Sequence, residues 1–116
     1  MIYTSYYSNK NIPSSMMQIS ISRIPPVNWK GIVVQEFAPS MDLFTSYKRG
    51  NITPSQFCEY FIDQLQRNSL VSFLRAMNNY ETDIVLLCYE KPNQFCHRHL
   101  LSKFAAKYNI IIKELD

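Results

Sequence analysis

Glycine is scarce, with Gly31 and Gly50 the only two in 116 residues. A glycine-rich loop that cradles phosphate through its backbone is therefore excluded. Cysteine is sparse as well. Cys58, Cys88 and Cys96 form an odd set without framework spacing, which points to reduced thiols. No apolar run approaches membrane-spanning length. No basic segment precedes an apolar one at the amino terminus, so no signal peptide is read and a cytoplasmic location is expected. In that setting the sequon Asn51-Ile52-Thr53 carries no meaning. A strong charge of one sign is also missing. The net charge is +3, and the basic residues never form a run of three. This argues against a nucleic-acid surface and supports a modest attraction to phosphate-bearing ligands.

What the chain does have is core material. It is 47% hydrophobic and 18% charged, enough for one packed domain and too little charge for disorder. No repeat, linker or low-complexity tract divides it, so a single domain over residues 1–116 is expected. Ile2 to Tyr7 reads as a strand, and the alternation from Met17 to Ser22 as a second. Pro25-Pro26 closes that segment, since proline donates nothing to a ladder. Gly31 to Phe37 reads as a third strand.

Helices follow. Ser40 suits the cap of one running to about Arg49, with Gly50 as its stop. Thr53-Pro54-Ser55-Gln56 combines a cap, a first-turn proline and a capping-box glutamine ahead of Phe57, Phe61 and Leu65. A further helix covers roughly Ser69 to Met77. Asp83 to Tyr89 is an unbroken apolar run of the kind found in a central strand buried on both faces. Asn93 or Gln94 opens a last helix to about Tyr108, and Ile110 to Lys113 forms the final strand. The closing strand–helix–strand unit favours a right-handed crossover onto a parallel sheet. The expected class is α/β: a mostly parallel sheet flanked by helices, Rossmann-like and three-layered.

In such a sheet, ligands bind beyond the carboxyl ends of the strands. Those ends carry Tyr6, Arg23, Tyr89, Glu90 and Lys91, joined by Cys96, His97 and Arg98 from the first turn of the last helix. That helix start offers free backbone N–H groups and positive potential. Arg23, Lys91 and Arg98 suit a phosphate or carboxylate there. His97 lies on the apolar stripe of Leu100, Leu101, Phe104, Ala105 and Tyr108, and should point toward Cys88 or Glu90. Arg98 lies off that stripe and should reach solvent or a ligand.

Simpler roles stand beside these. His97 serves equally as a core histidine satisfied by Glu90 or a carbonyl, and Arg98 as a structural partner of Glu90. Cys96 suits a nucleophile at a helix start or an idle buried thiol. Cys58 and Cys88 read as packing residues. Cys96 and His99 could share a helix face, but no second ligand pair has zinc-like spacing, so no metal and no cofactor are expected. No hydrolase elbow is present.

Leu86-Leu87-Cys88-Tyr89-Glu90-Lys91-Pro92, followed by Phe95-Cys96-His97-Arg98-His99-Leu100-Leu101, resembles the hallmark of the DUF488 family (domain of unknown function 488), in its short single-domain members. Tyr3 to Tyr7, Ile19 to Arg23 and Phe37 to Ser40 also resemble that family, and the likeness covers most of the chain. The resemblance implies a compact α/β domain. It carries motif positions onto Glu90, Cys96, His97 and Arg98, and onto Tyr6 and Arg23, with no assigned substrate. It raises the functional reading of Arg98 above the structural one. The first expectation is a module that binds a nucleotide or other phosphorylated small molecule through Arg98, Arg23, Tyr6, Tyr89 and Lys91, for example to sequester a nucleotide signal. The second is an enzyme with Cys96 as nucleophile or His97 and Glu90 as an acid–base pair. The third is a nucleic-acid or protein interaction module.

Overall fold

Helix starts show how directly the sequence writes parts of this structure, a computed structural model that describes residues 1–90 and 96–115. Thr53 caps helix α2 (Pro54–Arg67): its hydroxyl accepts from the Gln56 amide, and the Gln56 side chain accepts from the Thr53 amide. Ser40 likewise caps α1 (Met41–Lys48) through the Leu43 amide. Gly50 ends that segment at a φ of 74°, where a side chain would be strained. Helix α3 (Val71–Asn78) and helix α4 (His97–Ala106) complete the set of four among the described residues.

Five strands form one sheet in the order β3-β2-β4-β1-β5, every pairing parallel. They are β1 (Ile2–Tyr6), β2 (Met17–Ser20), β3 (Ile32–Val33), β4 (Ile84–Cys88) and β5 (Ile112–Glu114). The α/β class and its parallel sheet are thus as the sequence implies, though the described helices pack on one face rather than in three layers. Strand β4 is buried along its whole length, as its unbroken apolar run requires. Alternate residues Ile84, Leu86 and Cys88 join a core with Phe57, Phe61 and Leu65 of α2, Leu74 and Met77 of α3, and Leu101, Phe104 and Ala105 of α4. On the opposite face, Leu87 meets irregular chain: it lines a shallow depression with Tyr7, Pro26 and Trp29.

Two elements depart from expectation. The third strand is only Ile32–Val33, and a 3-10 turn over Gln35–Phe37 replaces its predicted second half. The turn carries Phe37 into the core, fully buried and edge-on to Phe73. Burying that ring outweighs the few ladder bonds an exposed edge strand could add. The last strand is shifted toward the carboxyl terminus and takes in Glu114, which the reading from Ile110 to Lys113 leaves outside. The predicted start of α4 at Asn93 or Gln94 lies outside the described residues. No helix among the described residues is long and apolar enough to cross a membrane.

Candidate functional site

The carboxyl end of β4 and the first turn of α4 meet at a buried cluster. β4 delivers Cys88, fully buried, beside Tyr6 of β1 in the parallel register. Cys96 is the N-cap of α4, in extended conformation, and its side chain caps nothing. Cys96 is extended and His97 opens the helix, and although adjacent the two side chains approach one another. The sulfurs of Cys88 and Cys96 and a ring nitrogen of His97 lie within 4.8 Å of one another.

Arg98 is buried to 0% exposure, where an unpaired charge would be prohibitive. Its Nε donates to both oxygens of Glu114, at 3.1 and 3.3 Å, and Nη2 donates to Oε2 at 2.8 Å. Nη1 donates to the Cys88 sulfur at 2.9 Å and to the Glu90 carbonyl. Glu114 also accepts from the Thr4 hydroxyl at 2.6 Å. One guanidinium therefore joins α4, β4 and β5, and its carboxylate partner reaches β1. Burial works against the Arg98 charge, but Glu114 and Cys88 outweigh it and hold the guanidinium above its ordinary value.

The two thiols are polarised in opposite directions. The Cys88 thiol is held below its ordinary value because Cys96 donates to its sulfur, with Arg98 adding to the effect against the opposing burial. Cys96 is pushed well above its ordinary value, first by that same bond to Cys88 and then by burial. The arrangement favours keeping the proton on Cys96 and makes Cys88 the more acidic of the two thiols. His97 completes the set. Its Nε2 lies 2.8 Å from the Ile21 carbonyl, which can only accept, so Nε2 carries hydrogen. In the neutral ring Nδ1 then keeps its lone pair, 3.8 Å from the Cys96 sulfur. Phe61 meets the ring edge-on and helps fix its plane.

A cleft of about 320 Å³ opens beside this cluster. His97, Glu90, Tyr89, Arg23 and Lys48 line it, with Ile24, Met41 and Phe44 supplying apolar wall. Tyr89 is half exposed and donates its hydroxyl to the Ile24 carbonyl at 2.8 Å. A larger depression of about 520 Å³, between α1 and α2, is lined by Ser40, Tyr60, Asp63 and Arg67 and holds none of the thiol–imidazole cluster.

The structure thus brings Cys96, His97, Arg98 and Glu90 together, with Tyr6 alongside and Arg23 and Tyr89 at the cleft. Lys91 lies outside the described residues. Three placements differ from the reading of the sequence. Arg98 does not reach solvent, because the first turn of α4 sinks between β4 and the end of β5. Its carboxylate partner is Glu114 and not Glu90, which contributes a backbone carbonyl. Arg23 lines the cleft, yet its guanidinium is also spent on the carbonyls of Pro39, Ala38 and Gln35. Two residues were missed in their roles: Cys88, read as packing, and Glu114. The signal for both was positional, since each closes a strand at the edge where ligands bind.

A family model described as the active DUF488-N3 subclade, DUF488-N3a, matches residues 2–109. No curated protein and no solved structure matches the chain.

Proposed function

This chain belongs to the DUF488 family, and we propose that it is an enzyme whose reacting groups are Cys88, Cys96 and His97, acting on a small anionic molecule held in the adjoining cleft. One observation carries the reading: two sulfurs and an imidazole nitrogen converge within 4.8 Å at the carboxyl end of a central parallel strand, behind a cleft that His97 itself lines. A purely structural core has little use for a thiolate-favouring cysteine beside a buried arginine, whereas chemistry does. The word active in the description of the matching family model supports an enzyme over a passive domain.

The cleft supports the substrate class. Arg23 and Lys48 favour an anion, and Tyr89 and Phe44 offer ring faces or edges to a flat group. A phosphorylated small molecule, including a nucleotide, fits both features. Its anionic end would sit toward the two cations, leaving its reacting centre toward His97 and the thiols behind it. Glu90 lines the same cleft as His97 and would be the candidate acid or base on the substrate side.

The test is a panel of nucleotides and phosphorylated small molecules, with products followed by mass spectrometry. The purified chain should convert at least one of them, and Cys88→Ser or His97→Gln should lower that rate by on the order of 100-fold or more. Lys48→Ala should chiefly raise KM, since it contacts the anion and not the reacting atoms. A ligand that binds in the cleft and returns intact in every case would overturn the catalytic reading and leave a binding module.

A further inference from the structure

We infer that Cys88, Cys96 and His97 are the three protein ligands of a zinc-type divalent metal centre, with a fourth position facing substrate. The inference deepens the proposed function and rests on the same three residues.

The donor atoms are already arranged for it. On a tetrahedral ion bound at about 2.0–2.3 Å, sulfur and nitrogen donors lie roughly 3.5–4 Å apart. The Cys96 sulfur and His97 Nδ1 are 3.8 Å apart, and all three donor atoms fall within 4.8 Å. A small contraction closes the set. His97 also has the outer contact a metal-bound imidazole needs. Its Nε2 hydrogen is committed to the Ile21 carbonyl, which fixes the tautomer and leaves Nδ1 as the donor. Arg98 gives the Cys88 sulfur a matching N–H contact at 2.9 Å. Such a contact stabilises a metal-bound thiolate.

Charge points the same way. Buried Arg98 is neutralised by half-buried Glu114, so the guanidinium is not left to balance the thiol ligands. As metal ligands the two cysteines would give up their protons and carry two negative charges, which a dication neutralises. Two thiolates and one imidazole select a borderline-soft ion such as zinc over calcium or magnesium, which prefer oxygen. Three protein ligands leave a tetrahedral ion one position for water or substrate, the pattern of catalytic and not structural zinc. When bound, such an ion would polarise a substrate oxygen or lower the pKa of a bound water.

The experiment uses the full chain, stripped of metal under reducing conditions and titrated with cobalt(II) as the probe. The expected result is saturation at one cobalt per chain, with thiolate-to-cobalt charge-transfer absorption, a tetrahedral ligand-field band, and displacement of both by zinc. Cys88→Ser and Cys96→Ser should each leave roughly half the charge-transfer intensity, one thiolate of two. Cys58→Ser, on α2 away from the cluster, should leave it whole. No charge-transfer band in the wild type overturns the inference, even if a ligand variant fails to fold. So does a band that neither Cys88→Ser nor Cys96→Ser reduces. Full turnover by metal-stripped wild type would also overturn it while leaving a thiol enzyme standing. A cobalt site in a chain that turns nothing over would support the metal centre and remove the enzyme.

Discussion

Helices α2 and α4 begin in opposite ways. The start of α2 is local: Thr53, Pro54 and Gln56 satisfy one another within four residues, in the open and near solvent. The start of α4 is held mainly by side-chain contacts to distant residues. Cys96 occupies the cap position and caps nothing, while Cys96, His97 and Arg98 reach to Cys88, Ile21 and Glu114. A helix start that exists for the fold follows capping rules. One that departs from them, yet is buried and fully engaged elsewhere, marks a place where the fold serves another purpose.

The strongest way to break this contrast is to remove Arg98. Arg98→Ala should cost on the order of 3 kcal/mol in urea unfolding, because it empties a fully buried position and strips Glu114, the Cys88 sulfur and the Glu90 carbonyl of their donor. If Arg98 behaved as a surface residue, the loss would stay below about 1 kcal/mol. At the local helix start, Thr53→Ala should cost about 1 kcal/mol, the ordinary worth of a cap. The same denaturation curves measure it, and a loss as large as that of Arg98→Ala would erase the distinction between the two ends.

Cys96→Ser sharpens the comparison further. Serine is a good cap, and by local rules alone this substitution should stabilise α4 by about 0.5–1 kcal/mol. We expect no gain, because the hydroxyl cannot replace the sulfur against Cys88 and His97. A clear gain in melting temperature would show that α4 obeys the same local logic as α2.

The smallest effect is a titration. In metal-free protein, the ultraviolet absorbance of the thiolate should report Cys88 ionising below the ordinary thiol range, and Cys96→Ala should move it back up. The sign for stability follows from that depression. The Cys88 contribution is fully present above the unfolded thiol value and is lost as pH falls through the lowered folded value. Stability that instead rises across that window as pH falls would contradict the assignment of the more acidic thiol to Cys88.

Much of this was legible along the chain. Capping residues announced α1 and α2, the apolar run from Ile84 announced β4, and the two cysteine-bearing segments stood out as the working region. What was not legible has a common physical cause. Phe37 was read as the end of a strand because alternation continues through it, yet its ring had a core position to fill. Arg98 was read as solvent-facing because helical spacing puts it off the apolar stripe. A stripe describes the middle of a helix, whereas Arg98 sits in its first turn, where strand ends close over it. Glu114 was left beyond the last strand because nothing local distinguishes a charged strand end from a polar turn.

The central strand and the helix starts follow from the chain because each depends on neighbours within a few residues, and their order along it gives the class of fold. Only folding in three dimensions settles which cysteine is the more acidic, which acid neutralises Arg98 and which atoms converge. Those outcomes depend on parallel register, which sets the ends of β1, β4 and β5 at one edge, and on burial, which makes an unpaired charge too costly to leave there.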